Sequence, residues 1–458
     1  MTSSDRAVRI VEVQPFFSTE HPDGAFSFGA STINGLTLAH VRVRVADRQG
    51  READGWGAIF LSHLWAFPGA IGSSEFVDAL MRDMVSAFAG RLAGSDLHGH
   101  PIEHFLAIQP ELAGIARRTA AARQFEQTIP DLFNLVALSP IDAALHDAFG
   151  KLHAASVYDT LGPDWLSLDL AMVLGTDPAG RTLDSFFRIK PAASVPVAHT
   201  VGALDPLTPA EARDHAIAPL SEWIDRHGVH AFKVKLKGKD IEWDVSRLLD
   251  VFSIALAATP GPENVRLFGD LNEQGPSVAY VDELLHRLHA ASPAAYAALD
   301  ALEQPGSRSL PDDARFDGIS SRKPIVLDEG LTSLDTIDRA VALGWNGVAL
   351  KTCKTQSLMI LAMAKAALAG LHISVQDLTN PGIALLQSAG LAARLPVILP
   401  FENNARQYYP HTSDPEATVH PEMFSPVDGR LPTGWLTSPG FGYDTTRIPR
   451  DIFQNVST

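Results

Sequence analysis

The 458-residue chain contains a single cysteine, Cys353, which limits its covalent and metal chemistry. One thiol cannot form a disulfide within the chain, and a cysteine-rich metal site is excluded. This usage fits a reducing compartment, so a cytoplasmic protein is expected. No histidine partner for Cys353 is recognisable, and the residue is predicted to pack in the core rather than act as a nucleophile.

Long apolar runs and an excess of positive charge are also missing. No segment of about 18 apolar residues is present that could span a membrane. The start, "MTSSDRAVRIVEVQPFF", lacks the apolar run after a basic patch that marks a secretory signal. Lysine and arginine number 37 against 53 acidic residues, a net charge of −16. This balance argues against nucleic acid or an anionic membrane as a partner.

A glycine-rich phosphate loop is absent too, which argues against a doubly wound nucleotide-binding sheet. Instead, eight short apolar runs alternate with amphipathic stretches from Val195 onward. They are "VPVAHTVG", "HAFKVKL", "VRLFGDLN", "YAALDALEQP", "KPIVLDEG", "NGVALKTC", "HISVQDL" and "PVILPFEN". Eight such units in about 250 residues predict an α/β fold, a (β/α)8 barrel.

The first part of the chain has a different pattern. "AVRIVEVQPF" and "TLAHVRVRVADRQG" alternate apolar and polar residues, as antiparallel strands do, and helical patterns follow. Residues 1–135 are therefore predicted to form a separate α+β domain. Within it, "FFSTEHPDGAFSFGASTIN" (16–34) fits either a mobile loop over a small ligand or an exposed turn.

Polar residues end the predicted barrel strands, where the chemistry of such barrels lies. In chain order they are Lys233 and Lys235, Asp270, Glu303, Asp328, and Lys351. Three carboxylates converging on one barrel mouth would repel one another unless a cation neutralised them. Oxygen ligands favour a hard ion, so the sequence predicts Mg²⁺, with Mn²⁺ as a less favoured occupant.

The lysines lie on opposite sides of this predicted site. Lys235 is on the second strand and Lys351 on the sixth, so a small substrate on the metal would lie between them. A lysine near a divalent cation and a second lysine has a lowered pKa and can act as a base. Lys233 either keeps the pKa of Lys235 low or touches the substrate carboxylate.

These motifs, in this order, resemble the enolase superfamily and its muconate-lactonizing-enzyme-like subgroup. The similar elements are the K-x-K of "FKVKL", the D-x-N of "GDLNEQ", the E-Q-P of "LEQP", the D-E of "VLDEG" and the lysine of "GVALK". "SPIDAALHDAFGKLHAASVYDTLG" and "DGRLPTGWLTSPGFGYD" resemble the entry to the barrel and the ending of family members. The resemblance implies an N-terminal capping domain (1–135), an enolase-like modified TIM barrel (136–440) and a tail (441–458) that returns to the capping domain.

The resemblance also implies roles for single residues. Mg²⁺ would be held by Asp270, Glu303 and Asp328, with Asn272 and Glu329 as partners of these ligands. Lys235 and Lys351, assisted by Lys233, would be the acid/base residues, acting on a small carboxylate through an enediolate. Because the family is commonly oligomeric, a homo-oligomer is expected.

Two departures from the family pattern bear on the substrate. The seventh strand lacks the histidine of a His–Asp dyad, which weakens an acid-sugar dehydratase. The eighth ends in "ENN", where dipeptide epimerases carry Asp-x-Asp, so Glu402 and Asn404 become the substrate-binding candidates. Glu402 would either hold a substrate cation or pair with Arg406.

Several reactions fit this set of residues. A racemase or epimerase is favoured, because a lysine lies on each face of the substrate. A cycloisomerase, a β-elimination lyase or a dehydratase would need the same residues. The alternative outside catalysis is a barrel that binds a carboxylate without turnover.

A histidine cluster in "DLHGHPIEH" offers a competing zinc interpretation. His98, His100 and His104 are close in sequence, but Pro101 interrupts any helix that would align them. A surface loop is the favoured interpretation of this stretch.

Overall fold

The computed structural model describes residues 3–23, 26–28, 31–33, 35–214, 217–437 and 439–454. After helix α1 (Ser3–Arg6), a three-stranded antiparallel sheet has the order β1 (Val8–Glu20), β4 (Leu36–Asp47) and β5 (Glu52–Phe60). A short hairpin of β2 (Phe26–Phe28) and β3 (Ser31–Ile33) lies between β1 and β4 in the chain. The antiparallel strands predicted from alternation are confirmed. The predicted loop 16–34 begins within β1, and its residues 24, 25, 29, 30 and 34 lie outside the described residues.

Helices pack on this sheet. They are α2 (His63–Ala66), α3 (Ser74–Ala93), α4 (Pro101–Ile108), α5 (Leu112–Ala122) and α6 (Asp131–Leu152). Helix α6 crosses β5 at very close range, because Gly55 and Gly57 leave room for its backbone. A Cβ on Gly55 would lie 2.1 Å from the backbone nitrogen of Ala148, so only glycine fits there.

The second part of the chain is a closed barrel of eight consecutive parallel strands, in which the last pairs with the first. All eight predicted strands are present. They are β6 (Ser194–Val201), β7 (Ala231–Lys235), β8 (Arg266–Asp270), β9 (Leu299–Glu303), β10 (Ile325–Leu327), β11 (Gly347–Lys351), β12 (His372–Gln376) and β13 (Phe401–Glu402). A further strand, β14 (Arg430–Pro432), pairs antiparallel with β6.

Helices surround the barrel and follow it. They are α7 (Leu170–Leu174), α8 (Leu220–His227), α9 (Ile241–Ala257), α10 (Val278–Ala291), α11 (Pro293–Ala298), α12 (Asp317–Ser320), α13 (Leu334–Ala342), α14 (Gln356–Leu368), α15 (Ile383–Arg394), α16 (Ala405–Tyr408), α17 (Asp414–Val419) and α18 (Asp451–Gln454). Buried small residues line part of the barrel interior together with Phe268 and Val326. Because all eight strands run in parallel, their carboxyl ends meet at one mouth.

The end of the chain returns to the N-terminal sheet. The hydroxyl of Tyr443 donates to the backbone oxygen of Trp56 (3.1 Å), and the Phe453 ring packs edge-on against that indole. The domain boundaries at 135 and 440 stay a prediction.

The surface-loop interpretation is wrong for two of the three clustered histidines. His100 is buried before α4 with Nε2 3.2 Å from Thr160 Oγ1, and His104 is buried with Nε2 2.9 Å from the backbone oxygen of Val8. Each ring nitrogen named here contacts an oxygen of the protein, so both histidines help to join elements of the core.

Candidate active site

The strand ends bring the predicted polar residues together. Lys235, Asp270, Glu303 and Lys351 are the last residues of β7, β8, β9 and β11, and Asp328 directly follows β10. Their side chains meet at the barrel mouth because the strands are consecutive and parallel. All three carboxylates are buried, with Asp270 and Asp328 fully so.

Lys233 lies beneath this mouth and is itself buried. Its Nζ is 2.7 Å from Glu303 Oε1, 3.1 Å from Asp270 Oδ2 and 2.9 Å from Gln376 Oε1. Burial would lower the pKa of Lys233, but attraction to Asp270, Glu303 and Glu402 raises it well above its ordinary value. Lys233 is therefore a charged bridge between two of the predicted metal ligands.

Lys235 reaches the first carboxylate from the side. Its Nζ donates to Asp270 Oδ2 (2.6 Å) and Asn272 Oδ1 (2.9 Å), while the backbone N–H of Asn272 donates to Asp270 Oδ1 (2.9 Å). Burial opposes ionisation of Asp270, but Lys233 and Lys235 lower its pKa to about 2. The K-x-K and D-x-N motifs thus form one hydrogen-bonded unit.

Asp328 is held by two lysines. Lys351 Nζ donates to its Oδ2 (2.7 Å), and Lys354 Nζ donates to its Oδ1 (3.0 Å) and to its backbone oxygen. Lys354 is fully buried and was not among the predicted site residues. The sequence shows a second lysine three residues after Lys351, in "KTCKTQS", but its mostly polar neighbours give no local sign that it is buried.

The E-Q-P motif positions the next strand end. Gln304 Oε1 accepts from the backbone N–H groups of Asp328 (2.8 Å) and Gly330 (3.2 Å). Gln304 has φ of 35°, and Asn272 has φ of 39°, values that non-glycine residues rarely adopt. Such strain persists only where surrounding contacts fix it, as these hydrogen bonds do.

Glu329 connects the barrel to the N-terminal region. Its Oε1 accepts from Asn272 Nδ2 (3.0 Å) and from the indole Nε1 of Trp65 (2.9 Å). Its Oε2 is buried and has no hydrogen-bond partner among the described residues. Trp65 lies in α2, just after the N-terminal sheet, and no motif in the sequence predicted its place in the site.

The carboxylates are crowded enough to disfavour full ionisation. Burial, Asp270 and Asp328 raise the pKa of Glu303 to about 8, although Lys233 opposes this. Burial, Asp328 and Asp270 likewise raise the pKa of Glu329 to about 7. A divalent cation would relieve this crowding.

The donor set fits a hard metal ion, although the side chains as placed are held by ammonium groups. Among the described residues, no three His, Cys, Asp or Glu side chains are arranged to hold a metal as they stand. The three buried carboxylates supply oxygen donors of the kind that Mg²⁺ prefers, and beside them Glu329 keeps one buried oxygen without a partner among the described residues. Because Lys233 bridges Asp270 and Glu303, its ammonium and the ion would compete for the same oxygens.

The pKa of Lys351 differs from the sequence expectation of a lowered value. Burial lowers it, but Asp328, Glu303 and Glu402 together raise the pKa above the ordinary value. The expectation assumed a divalent cation bound to these carboxylates. The positive charge of that ion would lower the pKa of Lys351 and so oppose the effect of the carboxylates.

The eighth strand contributes a separate polar group. Glu402 Oε1 accepts from Thr200 Oγ1 (2.8 Å), and its Oε2 is 3.5 Å from Lys233 Nζ. Asn404 Nδ2 donates to the same Thr200 oxygen (3.1 Å). Arg406 instead contacts Asp414, so the suggested pairing of Glu402 with Arg406 is not formed.

A small cavity joins these groups. Lys235, Lys351, Glu402 and Asn404 line it, and its volume is about 20 Å³. Trp65 also lines it, with its ring centroid 5.0 Å from Lys351 Nζ. A larger cavity of about 430 Å³ lies between β5 and the C-terminal tail and contains none of the strand-end groups.

A comparison with family models identifies the family. A family model described as enolase C-terminal domain-like matches residues 215–447, just over half of the chain. The chain belongs to the enolase superfamily. Within this superfamily, the chain is similar to the mandelate racemase and muconate-lactonizing-enzyme group, as its motifs suggested.

Solved structures show that the same fold extends over nearly the whole chain. A 2-chloromuconate cycloisomerase from Rhodococcus opacus is 20% identical with a TM-score of 0.60, covering 96% of this chain and 98% of its own. An enolase from Bradyrhizobium complexed with magnesium and mandelic acid is 18% identical with a TM-score of 0.60, covering 96% of each chain. The L-Ala-D/L-Glu epimerase from Bacillus subtilis is 16% identical with a TM-score of 0.58, covering 87% and 90%.

No curated protein matches the sequence. Within the described part of the chain, no helix combines the length and the apolarity that crossing a membrane requires.

Proposed function

We propose that this protein is a Mg²⁺-dependent enzyme that removes the proton from the carbon α to a substrate carboxylate, through an enediolate. The observation that carries the proposal is that Lys235 and Lys351 line one cavity from opposite strands of the barrel, above three buried carboxylates. We favour racemisation or epimerisation, because a lysine on each side can remove the proton from one face and return it to the other.

The carboxylates and lysines of the site would have different roles. Asp270, Glu303 and Asp328 would hold the ion, with Asn272 and Glu329 orienting the carboxylates. Mg²⁺, when bound, supplies positive charge that offsets the negative charge developing on the substrate carboxylate. Lys235 and Lys351 would exchange the α-proton, and the buried Lys233 would add positive charge beneath the substrate.

The residues around the cavity limit the access of water to Lys351, which is buried. Trp65 covers Lys351, and the cavity of about 20 Å³ holds no bulk water. A substrate can enter only when the covering residues move, as in enzymes whose loops close over the ligand.

Other reactions of the family need the same groups. A cycloisomerase or β-elimination lyase would use one lysine as base and the other for charge only. A dehydratase with a histidine base is disfavoured, because the histidine of β12, His372, lies at the first residue of that strand, at the other end from Gln376.

Deuterium exchange tests the proposal. The protein is incubated with Mg²⁺ in D₂O against N-acylated amino acids, dipeptides and hydroxy acids, and incorporation is followed by mass spectrometry. Label at the α-carbon is expected from both enantiomers with wild type and with the exposed control Lys239→Met. Each of Lys235→Met and Lys351→Met is expected to lose the label for one enantiomer, and the two variants should lose it for opposite enantiomers. Label that survives in both variants with the same enantiomer, or Mg²⁺ binding without label in any compound, would contradict the proposal.

A further inference from the structure

Lys354 is a buried ammonium group that the proposed function does not use. It is fully buried, and its Nζ donates to the Oδ1 (3.0 Å) and to the backbone oxygen (2.5 Å) of Asp328. Lys351 holds the other carboxylate oxygen of Asp328 and lines the site cavity, whereas Lys354 is not in that lining. Lys354 therefore contacts a proposed metal ligand without reaching the space in which a substrate would bind.

The backbone after β11 places Lys354 beside Asp328. Residues Thr352–Lys354 form one turn of 3-10 helix, and Thr355 then adopts a φ of 74°, which a β-branched residue rarely does. The turn is held because Thr355 Oγ1 accepts from the backbone N–H of Leu358 (3.2 Å) at the start of α14. Such strain persists only where surrounding contacts fix it, and here it keeps the ammonium of Lys354 next to the carboxylate.

Stability alone is a weak reason for a lysine at this position. A buried ion pair adds little to the free energy of unfolding, because the cost of desolvation offsets the attraction between the charges. The contacts of Lys354 are the two oxygens of Asp328 and the ring of Trp65, whose centroid lies 5.7 Å from Nζ. Its electrostatic effect therefore falls directly on a carboxylate of the candidate site.

This charge acts in opposite directions on a bound cation and on a developing anion. An ammonium 3.0 Å from Asp328 Oδ1 offsets part of the charge of the carboxylate, so the site attracts a divalent cation less strongly. The same positive charge stabilises the negative charge that develops on a substrate during proton abstraction. Because Lys354 is buried, water and salt screen its charge little.

We propose that Lys354 is a positioning residue that holds Asp328 and keeps a fixed positive charge beside it, which lowers the affinity for Mg²⁺ and speeds the removal of the α-proton. This inference rests on the proposed function, since it assigns a further residue to the same site. A residue that served only the fold would not move these two quantities in opposite directions.

Neutral variants of Lys354 test the charge. Lys354→Met removes the charge and the hydrogen bonds, whereas Lys354→Gln removes the charge and keeps a donor for Asp328. Calorimetric titration with Mg²⁺ alone is expected to show at least about threefold tighter binding in both variants, because the repulsion between the ammonium and the ion is lost. On the same samples, kcat for deuterium exchange at saturating Mg²⁺ and substrate is expected to fall by at least about tenfold. The compounds are those used to test the proposed function.

Lys365 provides a matched control in α14. It is also buried, and its Nζ donates to the backbone oxygen of Leu174 (2.9 Å) and to Asp338 Oδ2 (2.6 Å). Lys365→Met thus removes a buried ammonium with the same kinds of contact, but away from the strand-end carboxylates. Its Mg²⁺ affinity and its kcat for exchange are expected to match those of wild type.

Three results would overturn the inference. The first is Mg²⁺ binding that is unchanged or weaker in either Lys354 variant, and the second is exchange that is not slowed. The third is failure of both variants to fold, measured by circular dichroism, while Lys365→Met folds, since Lys354 would then serve the fold. If only one of the two variants folds, its Mg²⁺ affinity and its exchange rate decide.

The inference and the proposed function fail in different ways. Exchange in wild type without tighter Mg²⁺ binding in the variants would overturn the role of Lys354 and leave proton abstraction standing. Tighter Mg²⁺ binding in the variants without exchange of any compound in wild type would support the effect of the charge on the ion. It would overturn proton abstraction, and with it the part of the inference that concerns the rate.

Discussion

Trp65 is the side chain through which the N-terminal region reaches the candidate site. Its indole N–H donates to Glu329, and its ring faces the ammonium groups of Lys351 and Lys354. One residue thus supplies both a hydrogen bond to a carboxylate and a cation–π contact to a proposed acid/base lysine. The environment of Lys351 therefore depends on where the N-terminal region sits.

Replacing Trp65 by phenylalanine should separate these two contacts. Trp65→Phe keeps an aromatic ring but removes the donor to Glu329, so the free energy of unfolding should fall by about 1–3 kcal/mol. A double-mutant cycle with Glu329→Gln, measured by urea unfolding, should give a coupling energy of at least about 0.5 kcal/mol.

Trp345 supplies the control for this cycle. It is buried, and its indole nitrogen has no partner within the described residues, so Trp345→Phe removes no hydrogen bond. Trp345→Phe should show no coupling with Glu329→Gln. Additive effects for Trp65 as well would contradict the linkage between the N-terminal region and Glu329.

At the level of single residues, the sequence predicted the groups on strand ends but not two of their neighbours, Lys354 and Trp65. Asp270, Glu303, Asp328 and Lys351 could be found because each follows an apolar run. Trp65 could not, because it lies 264 positions from Glu329 and its own stretch, "SHLWAFPG", contains no motif that points to the site. A contact of that separation depends on how whole elements pack.

Among the elements, the loops after β8 and β9 hold the segment that carries Trp65. Arg308 donates to the backbone oxygens of Trp65 (3.2 Å) and Ala66 (3.3 Å). Glu273 fixes the guanidinium, accepting from Nε of Arg308 at 2.9 Å. Arg308 of the barrel thus binds the backbone of the segment that carries Trp65, in addition to the hydrogen bond between Trp65 and Glu329.

Loss of the hydrogen bonds from Arg308 should make the segment around Trp65 open more often. Arg308→Met removes two charge-assisted hydrogen bonds to the backbone around Trp65, so amide hydrogen exchange in residues 61–67 should accelerate by about tenfold or more. Mass spectrometry of peptides spanning these residues would measure it. Arg315→Met, which removes an exposed ion pair with Asp317, is the matched control. Equal exchange in both variants would show that Arg308 does not restrain the segment.

Elements with a strong local pattern were predictable, and those whose burial depends on distant packing were not. The eight barrel strands are recognisable in the sequence as apolar runs between helical patterns. The stretch around His100 and His104 contains proline, glycine and polar residues, which suggested a surface loop. Its burial comes from contacts with Thr160 and Val8, which the local sequence does not reveal.

For the whole molecule, buried histidines are a source of acid sensitivity. Burial lowers the pKa of His40, His146 and His199 to about 3 each, with smaller contributions from Arg450 to His40 and from His227 to His199. Burial acts in the opposite sense on two carboxyl groups, raising the pKa of Asp142 to about 6 and, with Glu402, that of Asp377 to about 8. The contributions of these histidines and carboxyl groups to the free energy of unfolding change in opposite directions with pH. Comparing wild type with a variant that lacks one histidine therefore isolates the contribution of that histidine.

His199 allows such a measurement, since its ring packs against Trp223 and phenylalanine can take that place. Below pH 6.5 the unfolded chain protonates this histidine, whereas the folded chain does so only near pH 3, so wild type loses stability as pH falls through this window. His199→Phe should therefore gain about 1.4 kcal/mol relative to wild type for each pH unit between about 6 and 4. Urea unfolding at several pH values measures this difference, with the exposed His286→Gln as the control that stays parallel to wild type. If His199→Phe also runs parallel, His199 is already charged in the folded protein, and its burial does not contribute to the acid sensitivity.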